Sequence, residues 1–177
     1  MKKLISVASV AAICLLVSCN SKEAGGMSEK AKKNLETNQA VLKMFESGDF
    51  SKVGDYIAAD AVDHSGPQGE VKGLDSIKAM FQFFASTMSD TKIEIVKELA
   101  DDDYVMSWLK QSWTAKTDDP MMGLKAGDKG NMEGLEVTKY NADGKVSEHW
   151  GFISMSEMMK MMPKPTMTDT TKMKTPN

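Results

Sequence analysis

Apolar residues recur at helical spacing through the first half of the chain beyond its N-terminal segment, then at alternate positions through the second half. Ser28 can cap a helix, Ala31, Leu35, Leu42 and Phe45 share one face of it, and Gly48 stops the run. A short second helix is expected to hold Val53, Tyr56 and Ile57, followed by an extended segment from Asp60 to Asp63. Ser65-Gly66-Pro67-Gln68-Gly69 has the composition of a loop. A third helix starts near Gly73, with Leu74, Ile77, Phe81, Phe84 and Met88 as its apolar stripe and Phe83 off it.

From Thr91 the period changes to two. Ile93 and Ile95 alternate with Lys92 and Glu94, and Leu99 extends their face. Asp101-Asp102-Asp103 marks a turn. Tyr104 to Ala115 is the longest strand candidate. It carries apolar residues at both parities, which predicts a central strand covered on both faces. Thr117 to Gly130 reads as a long hairpin connection containing Met121, Met122 and Leu124. Two further strands, Asn131 to Tyr140 and Lys145 to Ile153, flank the turn Asn141-Ala142-Asp143-Gly144. Helices come first and a run of antiparallel strands follows, so the fold class is α+β rather than alternating α/β.

The N-terminus has a different character. Lys2 and Lys3 precede an apolar stretch from Leu4 to Val17, too short to span a bilayer comfortably, that ends in Leu16-Val17-Ser18-Cys19. It resembles a bacterial lipoprotein signal. The expectation is a signal peptide over 1–18, a lipidated Cys19, a flexible tether over 19–28, a domain over 29–162 and a disordered tail over 163–177. The protein would then be held at a membrane of the bacterial cell envelope by the lipid on Cys19. An ordinary secretory signal or an uncleaved anchor is the alternative. Cys14 would leave with the leader, so no thiol would remain for a disulfide, a nucleophile or a metal.

The chain has 177 residues, enough for one domain. Its formal net charge is −3 and all 22 of its basic residues are lysine. An acidic chain without arginine is a poor partner for nucleic acid. Phosphate-binding glycine loops, Gly-x-Ser-x-Gly elbows and paired-cysteine motifs are also missing.

Asn38-Gln39-Ala40-Val41-Leu42-Lys43-Met44-Phe45 with Gly48-Asp49-Phe50, the pair Asp63-His64, the segment Gly73 to Lys78, and Gly144-Lys145-Val146-Ser147-Glu148-His149-Trp150 stand in a consistent order. Together they resemble SnoaL-like polyketide cyclase proteins of the NTF2-like superfamily, over about residues 30 to 155. The resemblance implies a cone: a curved antiparallel β-sheet wrapped around a pocket with N-terminal helices. It also implies a homodimer and a small hydrophobic ligand. Enzymes of the family use a pocket carboxylate, often on the last strands. Here Gly151-Phe152-Ile153-Ser154 follows Trp150 without an Asp.

Two histidines are present, His64 and His149, each preceded by an acid. Strand neighbours point to opposite faces, so in extended segments Asp63 is not the partner of His64, nor Glu148 of His149. Parity splits the last strand into Val146, Glu148, Trp150 and Phe152 against Ser147, His149, Gly151 and Ile153. The second set suits a pocket wall, but parity alone leaves the opposite assignment open. The functional reading makes His64 and His149 converge on the pocket and share proton transfer, since histidine titrates near neutral pH. The structural reading makes them hydrogen-bonders at a sheet edge. Tyr56, Phe84, Trp108, Trp113 and Trp150 are candidate ligand-binding walls, or simply core aromatics. No ligand spacing supports a metal and no cofactor is expected. Met155, Met158, Met159, Met161 and Met162 crowd together. Thioethers suit Cu(I), but a short helix laying a soft apolar face on the body or on a second subunit is the simpler reading.

Overall fold

The computed structural model describes residues 26–119 and 123–161. The leader, Cys19, most of the tether, Met121, Met122 and the tail after 161 lie outside the described residues. In chain order the elements are α1 (Glu29–Ser47), α2 (Val53–Tyr56), β1 (Ile57–Asp63), β2 (Val71–Lys72), α3 (Leu74–Thr87), β3 (Met88–Ala100), β4 (Tyr104–Ala115), β5 (Lys129–Tyr140), β6 (Val146–Ile153) and α4 (Met155–Met161).

The strands form one sheet in the order β2-β1-β6-β5-β4-β3. It is curved and unclosed, with α1 and α3 against its concave side. Pairing is antiparallel from β3 through β6. The β1–β6 pair is parallel, so the sheet is mixed where an antiparallel one was expected. That pair joins strands from opposite ends of the domain, which no local turn signal announces. Strand β2 is a two-residue addition after the Ser65–Gly69 loop.

Helix α1 begins and ends as its sequence dictates. Ser28 accepts from the Ala31 N–H, and Gly48 closes the helix at φ 70, a left-handed conformation that glycine adopts without a Cβ penalty. Its buried face, however, is partly polar: Asn34, Thr37 and Asn38 are buried with Ala31 and Met44. Asn38 is the hub. Its amide donates to Glu98 (3.0 Å) and Ser107 (2.9 Å), and its oxygen accepts from the Tyr140 hydroxyl (3.2 Å). The network ties α1 across β3, β4 and β5, where an apolar contact would leave its register free to slide. Burial pushes the Tyr140 phenol well above its ordinary range, so it stays a neutral donor. Lower down, Phe45, Phe50 and Phe81 pack edge-on, with Phe45 and Phe81 4.5 Å apart, and join α1 to α3.

Four expectations are corrected. Ile57 opens β1 rather than ending α2. Leu99 does not share the face of Ile93 and Ile95: a register shift between Ile95 and Lys97 moves it to the outer face, where it is 61% exposed. β4 is covered on one face only. Val105, Ser107, Leu109 and Trp113 are buried, whereas Met106 and Trp108 are exposed. Met155, Met158 and Met159 of α4 are not laid on the body either: all three are exposed. Glu157 is the side chain of that helix turned inward, and Lys160 pairs with it.

Candidate functional site

The concave face of the sheet and the apolar faces of α1 and α3 enclose a cavity of about 380 Å³. Its walls are mainly aliphatic and aromatic, including Leu42, Phe45, Ile77, Phe84, Leu109 and Trp113. Among the described residues its charged lining groups are three: Asp63, Glu136 and His149. They come from three adjacent strands, β1, β5 and β6. The registers Asp63↔His149 and Glu136↔Gly151 bring their side chains to one wall.

The three form a row. His149 Nδ1 lies 3.1 Å from Asp63 Oδ2, and its Nε2 is hydrogen-bonded to Glu136 Oε2. Asp63 is held on its other oxygen by the Ser65 backbone N–H at 2.7 Å. Burial works against charge on the His149 ring, but the two carboxylates outweigh it and raise its pKa to about 10. The ring is therefore an imidazolium at neutral pH, donating from both nitrogens. Asp63 is 5% exposed; burial would raise its pKa, but His149 and the Ser65 N–H pull it below the ordinary value. Glu136 differs from Asp63 in one respect. Its second oxygen, Oε1, has no hydrogen-bond partner among the described residues, while the residue lines the cavity.

Glycine leaves this wall open. A Cβ at Gly151 would sit 3.5 Å from Ser65 Oγ and 3.6 Å from Glu136 Oε2, so any larger side chain would crowd the carboxylate. The Gly151 N–H donates to Ser65 Oγ and fixes the loop after β1 against β6.

The sequence candidates separate across the sheet. His149, Phe84 and Trp113 line the cavity. His64 does not converge with His149. It points from the opposite face, where its ring stacks on Trp150 at 4.7 Å and its Nε2 meets Glu148 Oε2 at 3.1 Å. Glu148 is held in turn by Lys139, and His64 Nδ1 reaches Glu70 at 3.0 Å. Trp150 and Trp108 stand on that outer face by strand parity, and the Trp108 indole donates to Glu133 at 2.7 Å. Tyr56 packs against the core from α2 and does not line the cavity. Of the two parity sets in β6, His149, Gly151 and Ile153 of one face the cavity, but a register shift where Tyr140 meets Val146 turns Val146 of the other set inward as well.

Glu136 escaped the sequence reading. Its signal was parity: it lies two residues before Thr138 and four before Tyr140, both buried on the inner face. The pocket carboxylates thus stand on β1 and β5, not after Trp150. Among the described residues no group of His, Cys, Asp and Glu side chains is arranged to hold a metal ion.

A model of the SnoaL-like polyketide cyclase family matches residues 35–161. No match was found among curated proteins. Solved structures with the same fold include AclR from Streptomyces galilaeus, at 22% identity and TM-score 0.59, covering 73% of this chain and 94% of AclR. An LEH-like epoxide hydrolase from M. tuberculosis aligns at 12% identity and TM-score 0.61, over 76% of this chain and 88% of its own. A computationally designed 17-OHP binder aligns at 13% identity and TM-score 0.59, over 71% and 95%. At such identities the likeness establishes the fold, and that fold serves a hydrolase and a binder alike.

Proposed function

Because the chain belongs to the SnoaL-like polyketide cyclase family, we propose that its domain binds a small apolar molecule in the cavity and exchanges a proton with it at Glu136. The observation that carries this reading is the row Asp63–His149–Glu136 on one wall of an otherwise apolar chamber. Buried charges without work to do are costly, and such a cluster in a cavity is a candidate for acid–base chemistry.

Each member has a distinct task. Asp63, fully engaged, orients the ring and offsets its charge. His149, protonated, cannot act as a base while both nitrogens donate; it fixes the Glu136 carboxylate and supplies positive charge beside it. Glu136 offers Oε1 to the ligand. A proton taken there from a carbon next to a carbonyl, and returned at another position, completes an isomerisation; handed instead to a leaving group on the neighbouring carbon as its bond breaks and the double bond forms, it completes a lyase step. Phe84 and Trp113 provide apolar contact.

The setting is also part of the proposal. A lipid on Cys19 would hold the domain at the bacterial cell envelope, and the outer sheet face would pair two copies. That face exposes Leu99, Met106, Trp108, Leu135 and Phe152, with Trp108, Leu135 and Phe152 in lateral register. A contiguous apolar patch of this kind favours a second reading, in which association is the principal role.

Mass spectrometry of small molecules released from the purified protein tests binding. Deuterium incorporation from D2O into the molecule so identified tests proton exchange: wild type should label it and Glu136→Gln should not.

A further inference from the structure

Resting on the reading of the cavity as a ligand site, we propose that it selects apolar molecules whose polar end carries a hydrogen-bond donor, an ammonium ahead of a hydroxyl, and that it rejects carboxylates.

The argument is one of charge inside a chamber. Among the described residues, two carboxylates and one histidine are the charged groups in the wall, and no lysine lines it. The single cation is already shared: His149 Nδ1 is committed to Asp63 and Nε2 to Glu136. With the ring protonated, the wall keeps an excess of one negative charge, and that excess faces the cavity at Glu136 Oε1. A fatty or aromatic acid would bring a second negative charge to that oxygen with no free cation to meet it. A hydroxyl would give Glu136 a neutral donor. An ammonium would give it a charged donor and offset the excess charge, in largely apolar surroundings where the difference is screened less than in bulk water.

The outer face shows the contrast within the same sheet. There Glu148 meets Lys139 at 2.6 Å as well as His64, so its charge is balanced by a lysine. Among the described residues Glu136 has no such cation beyond the ring it shares with Asp63. The Asn38 amide, one of several uncharged polar groups in the lining, donates to Glu98 and Ser107 and cannot serve a ligand anion without leaving them.

Three ligands of one shape decide it: 2-naphthylmethylamine, 2-naphthalenemethanol and 2-naphthoate. Each is titrated calorimetrically at pH 7 into the full chain in zwitterionic lipid nanodiscs, with empty nanodiscs as blank. The amine should bind about tenfold or more tighter than the acid, with the alcohol between. Glu136→Gln removes the excess charge and should bring amine and acid within about threefold of each other. An acid that binds wild type as well as the amine overturns the charge preference and leaves the ligand site standing. Failure of all three to bind overturns the ligand-site reading and this inference with it. The wild-type ranking alone decides the question if the variant does not fold.

Discussion

The imidazole of His149 is bound not to Glu148, its neighbour in sequence, but to Asp63, 86 residues earlier, at 3.1 Å. The converse holds for His64, which leaves Asp63 and takes Glu148. Two acid–histidine dipeptides lie side by side on parallel strands, and each histidine takes the other's acid. Strand geometry forces the exchange: within a dipeptide the side chains face opposite sides, while Asp63↔His149 in register face the same side. The exchange places one acid–histidine pair in the cavity and the other on the outer face.

Removing the buried partner tests the pair on the cavity side. Asp63→Asn leaves His149 with one carboxylate. The protonated ring loses part of its stabilisation, and its NMR titration should move clearly below the native value near 10. Breaking one side of a buried charge pair costs roughly 3 kcal/mol, so the urea midpoint should fall accordingly. An unchanged titration would mean that Glu136 alone holds the proton.

The pH dependence of stability has a definite sign. His149 has a folded pKa of about 10 against 6.5 in a free chain. Its contribution is complete below 6.5 and is lost as pH climbs through about 10. Asp63 is lowered from 3.8, so its contribution is present above that value and is lost as pH falls through its folded pKa. Thermal midpoints from pH 3 to 11 should show both declines. The alkaline one should flatten in Asp63→Asn.

The elements were largely legible in the sequence, because caps, turns and strand periods are local signals. Ser28, Gly48, the aspartates before Tyr104 and Gly144 all punctuate the chain where they were expected to. What failed was non-local. The shift after Ile95 that turns Leu99 outward leaves no mark on the apolar alternation. No local signal marks the polar face of α1 as buried, because Glu98, Ser107 and Tyr140 reach Asn38 from three separate strands. The cavity carboxylates belong in the same class. Asp63 and Glu136 become neighbours of His149 only through the pairing of β1, β6 and β5, and no spacing along the chain encodes that.

Asn38 gives a prediction that separates shape from chemistry. Asn38→Asp keeps the volume but replaces two donated hydrogen bonds by a carboxylate facing Glu98. Asn38→Ala removes the donors and adds no charge. The first should cost about 3 kcal/mol or more in chemical unfolding, and the second about 2 kcal/mol. The reverse order would show that packing, not the network, holds α1 to the sheet.

The inner wall makes a steric prediction. Trp113, on β4, lies directly over Gly130 on β5, and a Cβ there would sit only 2.3–2.6 Å from atoms of the indole. Gly130→Ala must therefore displace a buried ring that lines the cavity. Overpacking of this kind costs about 1–3 kcal/mol. Near-ultraviolet circular dichroism should change with it. If the cavity is a ligand site, affinity should fall in the same variant.

The outer face gives the last prediction. Leu135 sits between Trp108 and Phe152 in lateral register, and all three are exposed, Phe152 by 54%. Because these side chains make little core contact, a charge placed among them should not weaken the fold. It should, however, oppose the burial of that face against a second copy, where an unpaired ammonium would be stripped of water. Sedimentation equilibrium in density-matched detergent should give a dimer for the full chain and a monomer for Leu135→Lys, with urea midpoints equal within about 0.5 kcal/mol. A wild-type chain that sediments as a monomer would remove the pairing of two copies from the proposal and would leave the cavity chemistry untouched, since Leu135 and Asp63–His149–Glu136 lie on opposite faces of the same sheet.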